Sequence, residues 1–138
     1  MRKLSDIVFN QHPLTMTSGA TVKEACQQMC NCKVGSVLVI DETGALVGIF
    51  TGRDAVRRVL AAGKGAKLKL CDVMTQNPDT MSPDQTAIDA LRLMWDGGYR
   101  HIPVVKDGKI LGVVSRGDFK SDEQIRLDEE RIIWEHLR

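Results

Sequence analysis

The stretch Gly48-Ile49-Phe50-Thr51-Gly52-Arg53-Asp54 returns 64 positions later as Gly112-Val113-Val114-Ser115-Arg116-Gly117-Asp118. Each copy is a short apolar run that ends with a hydroxyl three residues before a carboxylate. Upstream, Asn10-Gln11-His12-Pro13-Leu14-Thr15-Met16-Thr17 returns 65 positions later as Thr75-Gln76-Asn77-Pro78-Asp79-Thr80-Met81-Ser82. The shared order indicates an internal repeat, and a repeat of this length determines the architecture of the chain.

Within each copy the hydrophobic pattern predicts a strand, a helix, a strand, a hairpin, a strand and a helix. Apolar residues at helical spacing run from Thr21 to about Asn31, and the pattern recurs at Ala87, Ala90, Leu91 and Met94. The Asp107-Gly108 pair predicts a tight hairpin turn. Because the strand runs are apolar throughout, each small sheet needs cover on both faces, and the copies are expected to pack on each other.

Composition limits the possible functions. The 138 residues are 43% hydrophobic and 27% charged, as in globular proteins. With 19 basic and 18 acidic residues the net charge is +1, which disfavours nucleic acid as the main partner. No apolar run approaches the ~20 residues that cross a bilayer, and the first residues lack a secretory leader, so we expect a cytoplasmic protein without membrane contact.

The hydroxyl and carboxylate at each strand end have two interpretations. Thr51 with Asp54, and Ser115 with Asp118, fit a helix capping box. They also fit a nucleotide site, because a carboxylate accepts hydrogen bonds from two vicinal ribose hydroxyls and a hydroxyl at a helix start suits phosphate. Two instances at matched places, each behind a glycine, favour the second interpretation.

In this order and in duplicate, the motifs resemble a tandem CBS (cystathionine-beta-synthase) domain pair. The resemblance rests on Val73-Met74-Thr75-Gln76-Asn77-Pro78, on Ile102-Pro103-Val104-Val105 after Gly98-Tyr99-Arg100-His101, and on the paired strand ends. It implies an α+β fold of two β-α-β-β-α CBS repeats, packed sheet to sheet with pseudo-twofold symmetry, plus a C-terminal helix. We place repeat 1 at residues 5–62, a linker at 63–69, repeat 2 at 70–120 and the C-terminal helix at 121–138.

The resemblance also implies a regulatory or sensor module. Two clefts between the repeats would bind an adenosine-containing regulatory ligand: AMP, ADP, ATP, NAD or S-adenosylmethionine. Conformational change or dimer rearrangement would signal to an effector protein in trans, and a homodimer is expected. No cofactor is required. No catalytic set and no metal site is recognisable in the sequence, so the chain is not expected to be an enzyme.

Site residues carry over from the resemblance position by position. Asp54 and Asp118 would hold ribose hydroxyls, while Thr51 and Ser115 would contact phosphate or ribose. Ile49 and Val113 would flank the base, Val37, Ile102 and Pro103 would form an apolar wall, and Arg100 and His101 would reach phosphates. Segments Ile7 to Thr15 and Val73 to Thr80 would close the two clefts. The full predicted set is Ile7, Thr15, Ser36, Val37, Ile49, Thr51, Arg53, Asp54, Thr75, Asn77, Thr80, Arg100, His101, Ile102, Pro103, Val113, Ser115, Gly117 and Asp118.

The two predicted sites are not equivalent. Gly35-Ser36 stands in copy one where Arg100-His101 stands in copy two, and Arg53 precedes Asp54 where Gly117 precedes Asp118. Charged contacts to phosphate outweigh neutral ones, so the Asp118 site is expected to hold a multiply charged ligand.

Two other functions stay open. One is a structural or interaction dimer with vestigial clefts, and the other, less favoured, is a cysteine-based metal or redox sensor. Cys26 and Cys30 are expected on the buried face of their helix as small hydrophobic residues, and with Cys32 their spacing matches no usual zinc pattern.

Two further segments, residues 53–69 and the predicted terminal helix, carry signals of a surface that contacts a partner. Residues 53–69 carry a local charge of +5, which indicates either a solvated helix end or an edge that attracts phosphate. Ser121 and Gln124 predict the start of a terminal helix. Its apolar residues fall on two sides: Ile125, Ile132, Ile133 and Leu137 on one, Leu127 and Trp134 on the other. The side holding Trp134 is a candidate dimer or partner surface, with packing against the same protomer as the alternative.

Overall fold

The computed structural model describes residues 1–137, so residue 138 of the predicted C-terminal helix lies outside the described part. Helices and strands alternate along the chain in the order α1 (Leu4–Ile7), β1 (Thr15–Thr17), α2 (Val22–Cys32), β2 (Ser36–Ile40), β3 (Leu46–Thr51), α3 (Gly52–Asp54), a π-helical segment (Ala55–Leu60), α4 (Leu70–Val73), β4 (Thr75–Gln76), α5 (Ala87–Gly97), β5 (His101–Lys106), β6 (Lys109–Ser115), a 3-10 turn (Arg116–Asp118) and α6 (Ser121–His136). The α+β class and the C-terminal helix are confirmed. None of the helices within residues 1–137 combines the length and the apolar character that a membrane crossing requires.

The chain forms two compact units, and neither is continuous in sequence. The repeat-1 unit contains residues 12–79 and 107–110. The repeat-2 unit contains residues 1–11, 80–106 and the chain from 111 onward. Residues 1–11, which include the start of predicted repeat 1, therefore fold with repeat 2, and residues 70–79 at the start of predicted repeat 2 fold with repeat 1.

Main-chain hydrogen bonds fix each leading segment beside the first helix of its unit. In the repeat-2 unit, the Leu4 amide donates to the Gln85 carbonyl at 2.9 Å. In the repeat-1 unit, the Leu70 amide donates to the Ala20 carbonyl at 2.8 Å. Helices α2 and α5 are N-capped by Thr21 and Thr86, whose hydroxyls accept the amides of the third helical residue. The two units thus use the same local geometry.

The repeat-1 unit contains a four-stranded sheet in the order β1-β2-β3-β4. Strand β2 is parallel to β1 and antiparallel to β3, and β4 is antiparallel to β3. One face of the sheet packs on α2 and forms a core. The side chains of that core are Val22, Ala25, Met29, Val37, Val39, Phe50, Val59, Leu70 and Val73.

The repeat-2 unit contains the hairpin β5-β6. Its turn residues Asp107 and Gly108 have φ of 51° and 76°, as the sequence predicts for a two-residue hairpin. The first strand of this repeat is reduced to one parallel bridge from Met81 to Val104. The core consists of Leu4, Val8, Met81, Ala90, Met94, Ile102, Val104 and Val114. Helix α6 covers α5 through Leu127, which packs with Ile88 and Leu91.

Candidate functional site

Both strand ends form the capping arrangement that their sequence predicts. The Thr51 amide donates to Asp54 Oδ2 at 2.9 Å, and the Thr51 hydroxyl donates to the same oxygen at 3.1 Å. The Ser115 amide and hydroxyl donate to Asp118 Oδ2 at 2.7 and 3.2 Å. Each carboxylate is therefore held in place through Oδ2. The other oxygen, Oδ1, is the one that a ligand could contact.

The residue after each strand closes the hairpin in the same way. The Gly52 amide donates to the Gly35 carbonyl at 3.1 Å, and the Arg116 amide donates to the Arg100 carbonyl at 3.0 Å. These bonds place each hydroxyl and carboxylate pair beside the start of the neighbouring strand. Ser36 consequently lies opposite Thr51 in the sheet register.

The two carboxylates differ in what surrounds Oδ1. Arg58 Nε lies 3.5 Å from Asp54 Oδ1, and only 15% of the Asp54 side chain is exposed. The same guanidinium donates to the carbonyls of Val73 and Met74 at 3.2 Å, so it is fixed in place. In repeat 2 the position of Arg58 is taken by an acid, Asp122.

Among residues 1–137, no cation forms a comparable ion pair with the Asp118 carboxylate. Arg2 Nη2 donates to its main-chain carbonyl at 2.9 Å, not to its carboxylate. Within residues 1–137, no side chain donates to Asp118 Oδ1. This carboxylate therefore keeps one acceptor oxygen for hydroxyl groups, as a ribose would require.

One face of the repeat-1 sheet collects most of the residues predicted for the Asp54 site. Thr15, Leu38, Ile49 and Thr75 are register partners across four strands, so their side chains share a face. Ser36 and Thr51 lie two residues further along on that face. Asn77 follows directly, and its amide donates to the Val47 carbonyl at 3.1 Å.

Val37 is a correction to the predicted apolar wall. It lies on the opposite face of the sheet, fully buried in the repeat-1 core with α2. Ile102 is the matching correction in repeat 2, because its side chain is fully buried in that unit's core. Side chains of adjacent strand residues point to opposite faces, so Pro103 and not Ile102 shares the face away from that core.

The remaining predicted residues of the Asp118 site all belong to the repeat-2 unit. Arg100 is exposed, while His101 and Val113 are half-buried. Ile7 packs against the core, and Thr80 is exposed. At Gly117 an added Cβ would meet nothing within 4 Å, so packing does not require the glycine. Apart from Val37 and Ile102, the residues predicted for each site belong to one unit, although Ser36 and Ile49 of the Asp54 set are buried.

Gln11 is a residue that sequence reasoning missed. Its Nε2 donates to the Val113 carbonyl at 3.1 Å, and its Oε1 accepts the Val113 amide at 3.0 Å. The side chain thereby pairs with β6 as a strand residue would. In repeat 1 the main chain of Gln76, the repeat counterpart of Gln11, pairs with β3 at Gly48. Glutamine occupies the same position in both repeats, at 11 and 76, and this recurrence is the sequence feature that could have identified Gln11.

The cysteines do not form a metal site in the described residues. Cys26 is half-buried, and burial, with a smaller contribution from Cys30, raises the pKa of its thiol. Cys30 is exposed, so its predicted place on the buried face of α2 is wrong; that face consists of Val22, Ala25 and Met29. No cluster of three or more histidine, cysteine or acidic side chains within residues 1–137 could hold a metal ion.

The terminal helix also departs from the prediction. Its N-cap is Lys120, whose amide donates to Glu123 Oε1 at 2.8 Å, so the capping pair lies one residue before Ser121 and Gln124. Leu127 provides the side that packs on α5, and Trp134 is 68% exposed. The isoleucines point away from that core.

This combination of repeated strand ends, a capped carboxylate in each and two units with exchanged leading segments defines a pair of small repeated domains. A family model described as CBS domain matches residues 4–61 and again 70–122. The chain belongs to the CBS domain family.

Relatives and solved structures agree with this assignment. YlbB of Bacillus subtilis is 40% identical over 104 residues, which cover 75% of this chain and 70% of that protein. CBSCBSPB2 of Arabidopsis thaliana is 39% identical over 102 residues, or 73% of this chain, but the chain spans only 19% of that relative's length. The CBS domain pair of protein MJ0100, in complex with 5′-methylthioadenosine and S-adenosyl-L-methionine, is 26% identical with a TM-score of 0.77, covering 95% of this chain and 98% of that one.

Proposed function

We propose that this chain is a regulatory module that binds an adenosine-containing ligand at its two strand ends. The observation that carries the proposal is the acceptor oxygen of Asp118, which the capping hydrogen bonds leave available beside the Ser115 hydroxyl. The adenosine-containing ligands of the MJ0100 domain pair support the same ligand class. AMP, ADP, ATP, NAD and S-adenosylmethionine are the candidates.

The Asp118 site is the primary site in this proposal. Arg100 is exposed at the start of β5, where a phosphate or another anionic group would meet a cation. The Asp54 carboxylate is already compensated by Arg58. Asp54, Thr51, Ile49 and Ser36 form the secondary site, with Thr75 and Asn77 on the adjoining strand.

The mechanism that follows is linkage between ligand binding and self-association. A ligand that binds one arrangement of the module better than another shifts the population toward it, and a partner reads that shift. We propose that the chain acts in the cytoplasm as a homodimer on an effector in trans, without catalysis of its own. Exposed apolar side chains on α6, including Ile125 and Ile132, support self-association.

A thermal-shift panel with the five candidate ligands tests the ligand class. A ligand at 100 times its dissociation constant stabilises the folded chain by about 2.7 kcal/mol, which is several degrees for a domain of this size. Asp54→Asn/Asp118→Asn should reduce the shift by about half or more, because asparagine keeps a capping oxygen and removes the charge.

Glu42→Gln/Asp107→Asn is the matched control. It removes two exposed acids in the hairpin turns, away from both strand ends, and should leave the ligand shift intact. The absence of a shift with all five ligands, or an equal shift in the Asp54/Asp118 variant, contradicts the proposal.

A further inference from the structure

Arg58 is a base that the fold of the repeat-1 unit fixes beside the Asp54 carboxylate. Its Nη1 donates to the carbonyls of Val73 and Met74, both at 3.2 Å. Its Nε lies 3.5 Å from Asp54 Oδ1, as an ion pair. The guanidinium is therefore anchored through Nη1, next to the oxygen that the proposed site offers to ribose hydroxyls.

The other two nitrogens of Arg58 form one edge of the guanidinium. Nε and Nη2 lie side by side and make the two-pronged edge that arginine presents to carboxylate and phosphate groups. Among residues 1–137, no acceptor takes a hydrogen bond from either nitrogen. The side chain is 48% exposed, so a ligand can reach this edge from solvent. An anchored edge with two unused donors suits an anionic group.

The charge at this strand end decides which ligands the edge serves. A carboxylate repels a phosphate placed beside it, and Asp54 is only 15% exposed, so solvent screens its charge incompletely. Arg58 offsets that repulsion and adds an attractive contact to the phosphate. The 5′ group and the hydroxyl pair of a nucleoside belong to one sugar ring, so a base next to the carboxylate that binds the hydroxyls lies close to the 5′ group.

We infer that Arg58 determines the ligand specificity of the Asp54 site by binding the 5′-phosphate of an adenosine nucleotide. The inference rests on the proposed function, which it extends from an adenosine compound to a nucleoside 5′-phosphate. An adenosine compound without charge at the 5′ position gains no attraction from the Arg58 edge. Repeat 2 has Asp122 at the matching position, so the Asp118 site does not select its ligand in this way.

A pair of ligands that differ at the 5′ position tests the role of Arg58. AMP and 5′-methylthioadenosine share the adenosine group, and only AMP carries a phosphate. We would measure both dissociation constants by isothermal titration in the whole chain carrying Asp118→Asn, which retains the Asp54 site. Adding Arg58→Met should weaken AMP binding by about 10- to 100-fold, the loss typical of a charged hydrogen-bonding partner. Binding of 5′-methylthioadenosine should stay unchanged or become tighter, because no cation then competes for Asp54 Oδ1.

Arg57→Met, in the same Asp118→Asn chain, is the matched control. It removes the same charge from the preceding residue, which is exposed, and should change the AMP constant about threefold or less. Arg58→Lys keeps the charge and loses the two-pronged edge, so its AMP affinity should lie between those of Arg58 and Arg58→Met. Thermal unfolding of each variant identifies loss of fold. If Arg58→Met does not fold, the ratio of AMP to 5′-methylthioadenosine affinity in Arg58→Lys is the deciding measurement, and that ratio should fall.

Three results overturn the inference. Equal weakening of both ligands would make Arg58 only a support for the Val73 and Met74 carbonyls, and an unchanged AMP constant would give it no part in binding. A wild type that binds AMP, when the Asp118→Asn chain binds neither ligand, overturns the inference and leaves the proposed function standing. A wild type that binds none of the five candidate ligands contradicts both.

Discussion

Strand β3 and strand β6 end in the same hydrogen-bonded turn, but the two turns stand in different surroundings. At the end of β3, Arg58 lies against the free side of the Asp54 carboxylate. At the end of β6, the corresponding position is Asp122, and Arg2 binds the main-chain carbonyl of Asp118 and not its carboxylate. The repeat thus preserves the geometry of the turn and varies its charge. Two sites built from one motif can therefore differ in the ligand they accept.

The outer edge of each strand shows a second difference. A main-chain strand, β4, pairs with β3, while the side chain of Gln11 pairs with β6. Both edges are covered, as buried main-chain groups require. One cover consists of main chain and the other of a side chain, so a point substitution can remove only the second.

The largest expected effect concerns the glycines in these strands. A Cβ at Gly112 would lie 2.7 Å from both Gln11 Oε1 and Val8 Cβ. Val8 is 5% exposed in the core, so the segment itself must shift. At Gly48 the obstacle is the flexible end of Met74. We expect Gly112→Ala to cost roughly 2–3 kcal/mol and Gly48→Ala about half as much, measured by urea unfolding. Equal costs would show that the Val8 segment gives way to the added Cβ as readily as the Met74 side chain does.

The next effect concerns ligand affinity. Asp118→Asn should weaken binding of the preferred adenosine ligand by about 10- to 100-fold, the loss typical of a charged hydrogen-bonding partner. Asp54→Asn should change it less, because Arg58 already compensates that carboxylate. Isothermal titration of both variants measures the difference. A greater loss in Asp54→Asn would reverse our ranking of the two sites.

Much of the fold is visible in the sequence because its signals are local. The helix start at Thr21 and the hairpin at Asp107-Gly108 follow from capping and turn chemistry and occur as predicted. The face of Val37 could not be predicted in the same way. Val37-Leu38-Val39-Ile40 is apolar throughout, so no alternation marks which side chains face the core.

The exchange of leading segments is also hidden from the sequence. Leu4 and Leu70 begin matching short helices at equivalent places in the repeat, so the sequence pattern does not distinguish whether each one packs beside α2 or α5. Only the three-dimensional connection decides which unit each one completes. The Arg58 contact with Asp54 is local, because the four-residue spacing suits a helical ion pair. The bonds from Arg58 to the Val73 and Met74 carbonyls are long-range, and the sequence does not mark them.

A smaller effect tests the side-chain cover of β6. Gln11→Ala removes both hydrogen bonds to Val113, and we expect a loss of about 1–2 kcal/mol in the free energy of unfolding. Gln76→Ala is the matched control, because Gln76 is exposed and pairs with Gly48 through its main chain. Its cost should stay within ~0.5 kcal/mol, as for other surface substitutions. Similar losses in the two variants would contradict the distinction between the covers.

The smallest effect is the response of α6 to acid. Burial disfavours the charged form of Glu123, but hydrogen bonds from Arg2 and from the Lys120 amide outweigh it and hold the pKa of this carboxyl below 4.5. Its ionised form therefore stabilises the folded chain above pH 4.5, and this contribution is lost as the pH falls below that value. The repeat counterpart is Val59, which is buried and uncharged, so repeat 1 has no ionisable group at this position. The free energies of unfolding of wild type and Glu123→Gln, obtained from thermal melts, should differ by about 1 kcal/mol or less at pH 7 and converge below pH 4.5. Glu129→Gln, at an exposed position on the same helix, is the control and should show no such convergence. If the difference between wild type and Glu123→Gln persists at low pH, the lost stability comes from packing and not from the charge of Glu123.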